Sequence, residues 1–136
     1  MNPMRFVDTN ILLRYCVADD ASKSTAVLEL LERVERNEEK ILVSPLVIFE
    51  TIFTLQSFYR VPRKRIRELL LPILSLRGLR LSHQTVFASA LELFTRRSIS
   101  FADAFNACFM KEHGLKEIYS YDSDFDTIEG IERVVP

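Results

Sequence analysis

Short apolar segments alternate with amphipathic helical segments along this chain, and this alternation is the feature that most constrains its fold. The helical segments repeat apolar side chains at the spacing of one helix face, as do Val27, Leu30, Leu31 and Val34 at i, i+3, i+4 and i+7. Strands separated by helices form a parallel sheet, because each connection must cross back over the sheet. We therefore predict an α/β fold with helices on both faces of a parallel sheet. The predicted strands are residues 5–7, 41–43, 79–81, 118–121 and 133–135.

Cap and breaker residues mark where the helices begin and end. Ser44 and Pro45 supply an N-cap and a first-turn residue for a helix that we expect to end near Phe58. Another helix is predicted to begin at Pro62. Pro72 lacks a backbone N–H, so this helix should kink or end around Pro72. The triplet 41–43 is apolar throughout, which is typical of a strand buried on both faces. Further helices are predicted at residues 11–17, 22–36, around 87–94, and 101–113.

Composition excludes several classes of protein. The chain has 136 residues, 48% hydrophobic and 27% charged, so we expect one folded domain over residues 1–136 rather than a disordered chain. No apolar run reaches the roughly 18 residues of a membrane span. Cys16 and Cys108 match no zinc-ligand spacing, and a reducing cytoplasm fits them best. The formal net charge of −1 excludes a global polycation, so a polyanionic partner needs a local basic patch or a bound metal.

Four acidic residues from distant stretches are expected at one edge of the sheet. Asp8 follows the first predicted strand, and Asp122 follows the fourth. Asp103 lies in the first turn of the helix before the fourth strand, and Glu50 lies in the helix after the second. Open α/β sheets bind ligands at the edge formed by the carboxyl ends of their strands. The four carboxylates are therefore predicted to meet there.

Glu50 has an unusual sequence environment for a carboxylate. Its helical neighbours Leu46, Val47 and Phe53 are apolar, so Glu50 should face inward and be partly buried. Two like charges 4 Å apart repel by about 4 kcal/mol at an effective dielectric constant of 20. Carboxylate oxygens without thiolates favour Mg²⁺ or Mn²⁺ as the neutralising cation. Such a cation can activate water and stabilise the departing oxygen of a phosphodiester.

Polar residues close to the four acids could assist this chemistry. Arg14 lies one short helix from Asp8 and could contact a phosphate. Asn106 comes three residues after Asp103, so their side chains share a helix face. The hydroxyl and amide groups that could orient water or phosphate belong to Thr9, Asn10, Asn106 and Ser120.

Most of these acids also have a structural interpretation. Asp8 could cap the helix that follows it, and Asp103 could belong to a capping box. Asp122 and Asp124 could form an ordinary polar turn. Glu50 lies in mid-helix, where neither a cap nor a turn explains it. The functional interpretation therefore depends on the convergence of the acids rather than on any one of them.

The basic run from Arg60 to Arg67 and the aromatic residues also have two interpretations. A solvated helix face is the favoured interpretation of the basic run, and an RNA-contacting patch is the alternative. The aromatic residues are interpreted as core residues in preference to base-stacking platforms. They include Phe49, Phe53, Phe87, Phe94, Phe101 and Phe105.

An ordered set of segments resembles the PIN-domain nucleases, in particular the toxins of VapBC toxin–antitoxin modules. The resemblance extends over essentially the whole chain and implies a three-layer α/β/α sandwich with a parallel five-stranded sheet in the order 3-2-1-4-5. It also implies Mg²⁺- or Mn²⁺-dependent endoribonuclease activity. The matching segments are Phe6-Val7-Asp8-Thr9-Asn10-Ile11-Leu12, Glu50 in its apolar helix, Ile99-Ser100-Phe101-Ala102-Asp103-Ala104 and Ser120-Tyr121-Asp122-Ser123-Asp124-Phe125.

The resemblance implies roles for individual residues and partners. Asp124 and Asp126 match less closely, in supporting positions, and Asp124 is expected to position substrate or water. Thr9 and Ser120 fall where the family carries small hydroxyl residues. A homodimer is expected, as is a small antitoxin whose tail occupies the acidic groove, where an arginine or lysine would compete with the metal. The implied catalytic acids are Asp8, Glu50, Asp103 and Asp122, and the implied metal ligands among them are Asp8, Asp103 and Asp122.

The sequence thus predicts a metal-dependent endoribonuclease that acts as the toxin of a two-component module. The alternatives are a housekeeping PIN nuclease in RNA processing or decay, and a catalytically silent PIN-fold binding module. A phosphoacceptor signalling domain is disfavoured, because Ser82 and His83, not an aspartate, follow the third predicted strand. A haloacid-dehalogenase-type phosphatase would need a second aspartate where Asn10 stands.

Overall fold

Short strands alternate with α-helices in the computed structural model, which describes residues 3–18 and 20–136. The chain divides into two compact units, the first extending to Gln84 and the second running from Thr85 to Pro136. The predicted alternation of strands and helices is confirmed. The strands are β1 (Arg5–Phe6), β2 (Ile41–Leu42), β3 (Leu79–Arg80), β4 (Glu117–Tyr119) and β5 (Glu132–Val134). The helices are α1 (Thr9–Cys16), α2 (Ala21–Glu35), α3 (Pro45–Ser57), α4 (Arg63–Leu74), α5 (Gln84–Arg96) and α6 (Phe101–Glu112), and a 3₁₀ helix spans Ser123–Thr127.

The first unit contains a parallel three-stranded sheet in which β2 lies between β1 and β3. Phe6 is in register with Leu42, which is in register with Arg80. The ladder continues past the strand ends, since the Val7 N–H donates to the Leu42 carbonyl at 2.9 Å. Parallel pairing in this order places the carboxyl ends of the three strands at one edge, as predicted.

One face of this sheet is buried and the other is exposed. Ile41 and Val43 are buried in the core, whereas Leu42 between them is 43% exposed. The prediction that the triplet 41–43 is buried on both faces is therefore wrong. Successive side chains of a strand point to opposite faces, so apolar character alone does not show which face a neighbouring element covers.

The second unit contains a separate parallel pair, β4 and β5. The prediction of a single five-stranded sheet is therefore wrong, because the strands form one sheet of three and one of two. The predicted order 3-2-1-4-5 is reproduced in its two parts, 3-2-1 and 4-5, without the link between β1 and β4. Strands of two or three residues offer few ladder hydrogen bonds, so the sequence pattern specifies pairing direction better than it specifies neighbours.

Helix packing and caps account for the core of each unit. Ser44 caps α3, since its hydroxyl accepts a hydrogen bond from the Val47 N–H at 3.3 Å. α4 ends two residues after Pro72, which confirms the expected ending around that proline. In the second unit, Phe87 and Phe94 are fully buried, as predicted. No helix within the described ranges is both long enough and apolar enough to cross a bilayer.

Gly78 lies close to neighbouring backbone carbonyls, and we predict that Gly78→Ala destabilises the fold. A methyl group at this position would clash with the Glu39 carbonyl oxygen and lie 3.0 Å from that of Val34. The Gly78 N–H also donates to the Val34 carbonyl at 3.0 Å, so the backbone cannot easily move away. The loss should be about 1–3 kcal/mol in the free energy of unfolding, measured by urea titration.

Gly114→Ala is the control for this measurement. Gly114 has a φ of +71°, but a methyl group there would have no neighbour within 4 Å. Only the backbone conformation should cost free energy, by about 1 kcal/mol. A Gly78→Ala protein that is more stable than Gly114→Ala would contradict the proposed packing.

Candidate metal centre

Three carboxylates of the second unit lie close together. Asp103, Asp122 and Asp124 each offer an oxygen atom, and these oxygens lie within 4.8 Å of one another. Asp103 is half-buried, and the other two side chains are exposed. The second unit thus concentrates negative charge at one place. Two of the three acids, Asp122 and Asp124, are separated in the sequence only by Ser123.

Local hydrogen bonds hold the three carboxylates at this place. Asp103 lies in the first turn of α6, where its N–H donates to the capping hydroxyl of Ser100 at 3.1 Å. The Asp122 N–H donates to the Ser120 hydroxyl at 3.0 Å. The Asp122 carboxylate in turn accepts a hydrogen bond from the Asp124 N–H at 2.9 Å. The structural interpretation of these residues is therefore correct, and it does not exclude a functional one.

The crowding of carboxylates changes the protonation of Asp103. Burial is the main cause that raises its pKa, and the negative charge of Asp122 is the next. Asp124 raises the pKa further, whereas the hydrogen bond with Ser100 lowers it. Without a counterion, the ionised form of Asp103 is therefore disfavoured in the folded protein.

Asp126, although close in sequence, is held in a different environment. The Arg133 guanidinium donates two hydrogen bonds to its carboxylate, at 3.1 and 3.0 Å. These bonds lower the pKa of Asp126. Asp126 thus has a cationic partner within the protein and serves a structural role, in agreement with its expected supporting position.

The first unit brings the other two predicted acids close to Thr9. The Asp8 carboxylate caps α1 and accepts a hydrogen bond from the Thr9 N–H at 2.7 Å. The buried Thr9 hydroxyl donates a long hydrogen bond of 3.4 Å to the Glu50 carboxylate. Asp8 and Glu50 therefore flank one threonine at the start of α1. Their predicted convergence with the acids of the second unit stays a prediction.

Glu50 is exposed, so the prediction of its partial burial is wrong. Its neighbours Leu46 and Phe53 are also exposed, at 66% and 69%. The buried stripe of α3 contains Ile48 and Ile52, and it lies on the opposite side of the helix. Because α3 is apolar nearly all round, its sequence did not indicate which side is covered.

The remaining predicted residues occupy separate places. Asn10 is exposed near the start of α1, and Arg14 is half-buried in its last turn. Asn106 is exposed one turn after Asp103 on α6, and Ser120 binds the Asp122 N–H. The sequence assigned Asp124 to substrate or water positioning, whereas the structure places its carboxylate among the candidate metal ligands. The sequence signal that could have identified Asp124 as a candidate metal ligand was its position two residues after Asp122.

The donor set of Asp103, Asp122 and Asp124 fits a hard divalent cation. All three donors are carboxylate oxygens, which Mg²⁺ and Mn²⁺ prefer, and the cluster includes neither thiolate nor imidazole. A cation at this position would relieve the repulsion that raises the pKa of Asp103. These three residues are therefore the candidate ligands on the second unit.

We predict that Asp103→Asn stabilises the protein when EDTA removes divalent cations. The raised pKa means that the folded state disfavours ionised Asp103, and this cost develops as the pH rises above the ordinary aspartate pKa of about 3.9. Thermal melts at pH 7 should show a higher Tm for the variant. The gain should disappear near pH 3, where the parent's Asp103 is protonated. A variant that is less stable at pH 7 would contradict this electrostatic account.

We also predict that Mn²⁺ raises the Tm of the parent protein and not that of Asp103→Asn. A cation that binds only the folded state stabilises it by about 2.7 kcal/mol at a concentration of 100 times its Kd. Asp126→Asn is the matched control, because Asp126 is held by Arg133 and lies outside the cluster. That variant should keep its Mn²⁺ response. Equal responses of the parent and Asp103→Asn would rule out the proposed ligands.

Comparisons with known proteins find relatives over nearly the whole chain. The PIN domain family model matches residues 5–131. A VapC ribonuclease of Aquifex aeolicus (strain VF5) is 26% identical over 133 residues, which cover 98% of this chain and 97% of that protein. A solved structure, the Mycobacterium tuberculosis sarcin–ricin loop cleaving toxin VapC20, shares 23% identity and covers 97% of this chain and 99% of its own, at a TM-score of 0.40. The match over nearly the full length shows that this chain belongs to the PIN domain family.

Proposed function

We propose that this protein is a Mg²⁺- or Mn²⁺-dependent endoribonuclease that hydrolyses RNA phosphodiester bonds, as the toxin of a VapBC-type module. The observation that carries the proposal is the cluster of Asp103, Asp122 and Asp124 in a chain of the PIN domain family. The similarity to a VapC ribonuclease supports RNA as the substrate.

The acidic residues have different roles in the proposed site. Asp103, Asp122 and Asp124 hold the cation, which when bound supplies Lewis-acid chemistry for phosphodiester hydrolysis. Asp8 and Glu50 of the first unit are proposed as further catalytic acids, as the family resemblance implies. Thr9 orients Glu50 through its hydroxyl hydrogen bond.

Neighbouring polar groups position the substrate and water in this proposal. Arg14 contacts a phosphate, since its guanidinium is always charged. Asn10 and Asn106 offer amide groups that orient the attacking water or a phosphate oxygen. Ser120 acts indirectly, because its hydroxyl fixes the backbone of Asp122.

The architecture proposed for the whole chain follows the family. The matched residues 5–131 extend across the boundary at Gln84, which supports a single domain in a three-layer α/β/α arrangement. A homodimer and a small antitoxin are proposed as protein partners. An arginine or lysine on the antitoxin tail would compete with the metal for the carboxylates. Cys16 and Cys108 are free thiols, which is usual in a reducing cytoplasm, and we propose that location.

We predict that Asp103→Asn and Asp122→Asn each reduce Mn²⁺-dependent RNA cleavage at least 100-fold, because each removes an oxygen donor with its charge. Asp8→Asn should have a similar effect if the first unit completes the site. The measurement is the initial rate of cleavage of a labelled RNA, with and without EDTA. Asp126→Asn is the control and should retain activity. Cleavage by Asp103→Asn at the parent's rate, in preparations freed of contaminating nuclease, would overturn the proposed function.

A further inference from the structure

Exposed aromatic and basic side chains meet where α3 passes into α4 of the first unit. Phe58 and Tyr59 are 76% and 37% exposed. Their ring centroids lie 4.9 Å apart at an interplanar angle of 82°, so each ring keeps at least one face that the other does not cover. Arg60 follows immediately and is exposed. We name residues 58–67 the aromatic–basic corner.

The corner carries a concentrated positive charge in a chain whose formal net charge is −1. Residues 60–67 include five basic side chains and no acidic one. Arg65 is partly committed to Glu68, with its Nη1 atom 3.4 Å from Oε2. Lys64 is exposed like Arg60. Arg60 and Lys64 therefore present their charges to solvent, and no acidic residue stands within residues 60–67.

The first turn of α4 is an unfavourable place for several cations. Arg63, Lys64 and Arg65 occupy the first turn of α4, which contains no acidic residue, and the N-cap Pro62 offers no side-chain hydrogen bond. Cations near a helix N-terminus are disfavoured by the helix dipole. A basic face that served only solubility would be more favourable at any other part of the helix. The placement is better explained by an anionic partner.

The backbone conformation of Arg60 is unfavourable for any residue other than glycine. Its φ is +54°, in the left-handed region that glycine adopts at lower cost than any other residue. The corner therefore keeps a guanidinium at a position where its backbone conformation is unfavourable. Such a residue can be tested apart from the fold, because glycine should fit its backbone better.

We propose that the aromatic–basic corner binds single-stranded RNA and thereby positions the substrate, an inference that rests on the proposed function. Phe58 and Tyr59 stack against bases, and Arg60 and Lys64 contact phosphates. Stacking platforms beside a positive groove are the usual means of holding single strands, whereas duplex RNA is bound mainly by shape and 2′-hydroxyl contacts.

The corner is connected to the candidate catalytic residues along α3. Glu50 and Phe53 are both exposed and lie three residues apart on one helix face. Eight residues separate Glu50 from Phe58, which corresponds to about 12 Å along a helix. The corner therefore lies at the C-terminal end of the helix that carries Glu50 and Phe53.

The test is fluorescence anisotropy with a short, unstructured, fluorescein-labelled RNA in EDTA, where no cleavage occurs. Phe58→Ala and Tyr59→Ala should each weaken binding by about tenfold, whereas Phe58→Tyr should retain it, because the ring is kept. The double variant Arg60→Gln/Lys64→Gln should reduce the slope of log K against log salt by about 1.4, which corresponds to two phosphate contacts on a single strand. The matched charge control is Lys40→Gln/Arg77→Gln, which removes two exposed basic residues elsewhere on the first unit.

Arg60→Gly separates binding from folding. Glycine should relieve the left-handed backbone, so the Tm should stay the same or rise while the affinity for RNA falls. A residue with only a structural role would not produce this combination.

The outcomes distinguish this inference from the proposed function. Parent-like RNA affinity in all corner variants, with Mn²⁺-dependent cleavage by the parent, would overturn the corner and leave the nuclease intact. A change of oligomeric state by light scattering, at unchanged RNA affinity, would identify the corner as a protein interface and overturn the inference. A parent protein that neither binds nor cleaves RNA would overturn both.

Discussion

Repulsion among Asp103, Asp122 and Asp124 is the interaction on which the proposed metal site depends. Ordinary caps and turns hold the three carboxylates together, through the hydroxyls of Ser100 and Ser120. Burial and neighbouring charge raise the pKa of Asp103 as a consequence. The stability of the second unit's core, rather than a local attraction, must therefore offset the repulsion until a cation does so. Asp126 illustrates the alternative, since Arg133 neutralises it.

The near-neutral net charge conceals a segregated distribution. Acidic groups gather at the start of α6 and after β4, while basic groups gather at Arg60 and in the first two turns of α4. A polyanion such as RNA is repelled by the first group and attracted by the second. In the proposed function, a metal ion would weaken the repulsion of RNA at the acidic cluster, and the basic surface would attract RNA.

Several features of the fold and site could be predicted from local signals. Ser44-Pro45 identified the start of α3, and Pro72 identified the end of α4. Both signals are local, because caps and prolines act within one turn. Asp103 and Asp122 were identified from their places next to predicted elements. The neighbours of β1 were not predictable in the same way, because strands of two or three residues carry too few ladder hydrogen bonds to specify a sheet. Family resemblance supplied the strand order, and the structure reproduces it only in parts.

The sequence by itself determined the alternation of strands and helices, the parallel pairing, and the positions of the acids at element ends, because periodicity and capping are local properties. Only the tertiary structure decided which faces are covered. It placed Glu50 on the exposed side of α3, left Leu42 open on the sheet, and exposed Phe58 beside Arg60. It also placed Asp124 with Asp103, which lies 21 residues earlier in the chain. These outcomes depend on contacts between distant segments, and a pattern of apolar residues does not encode which segment supplies them.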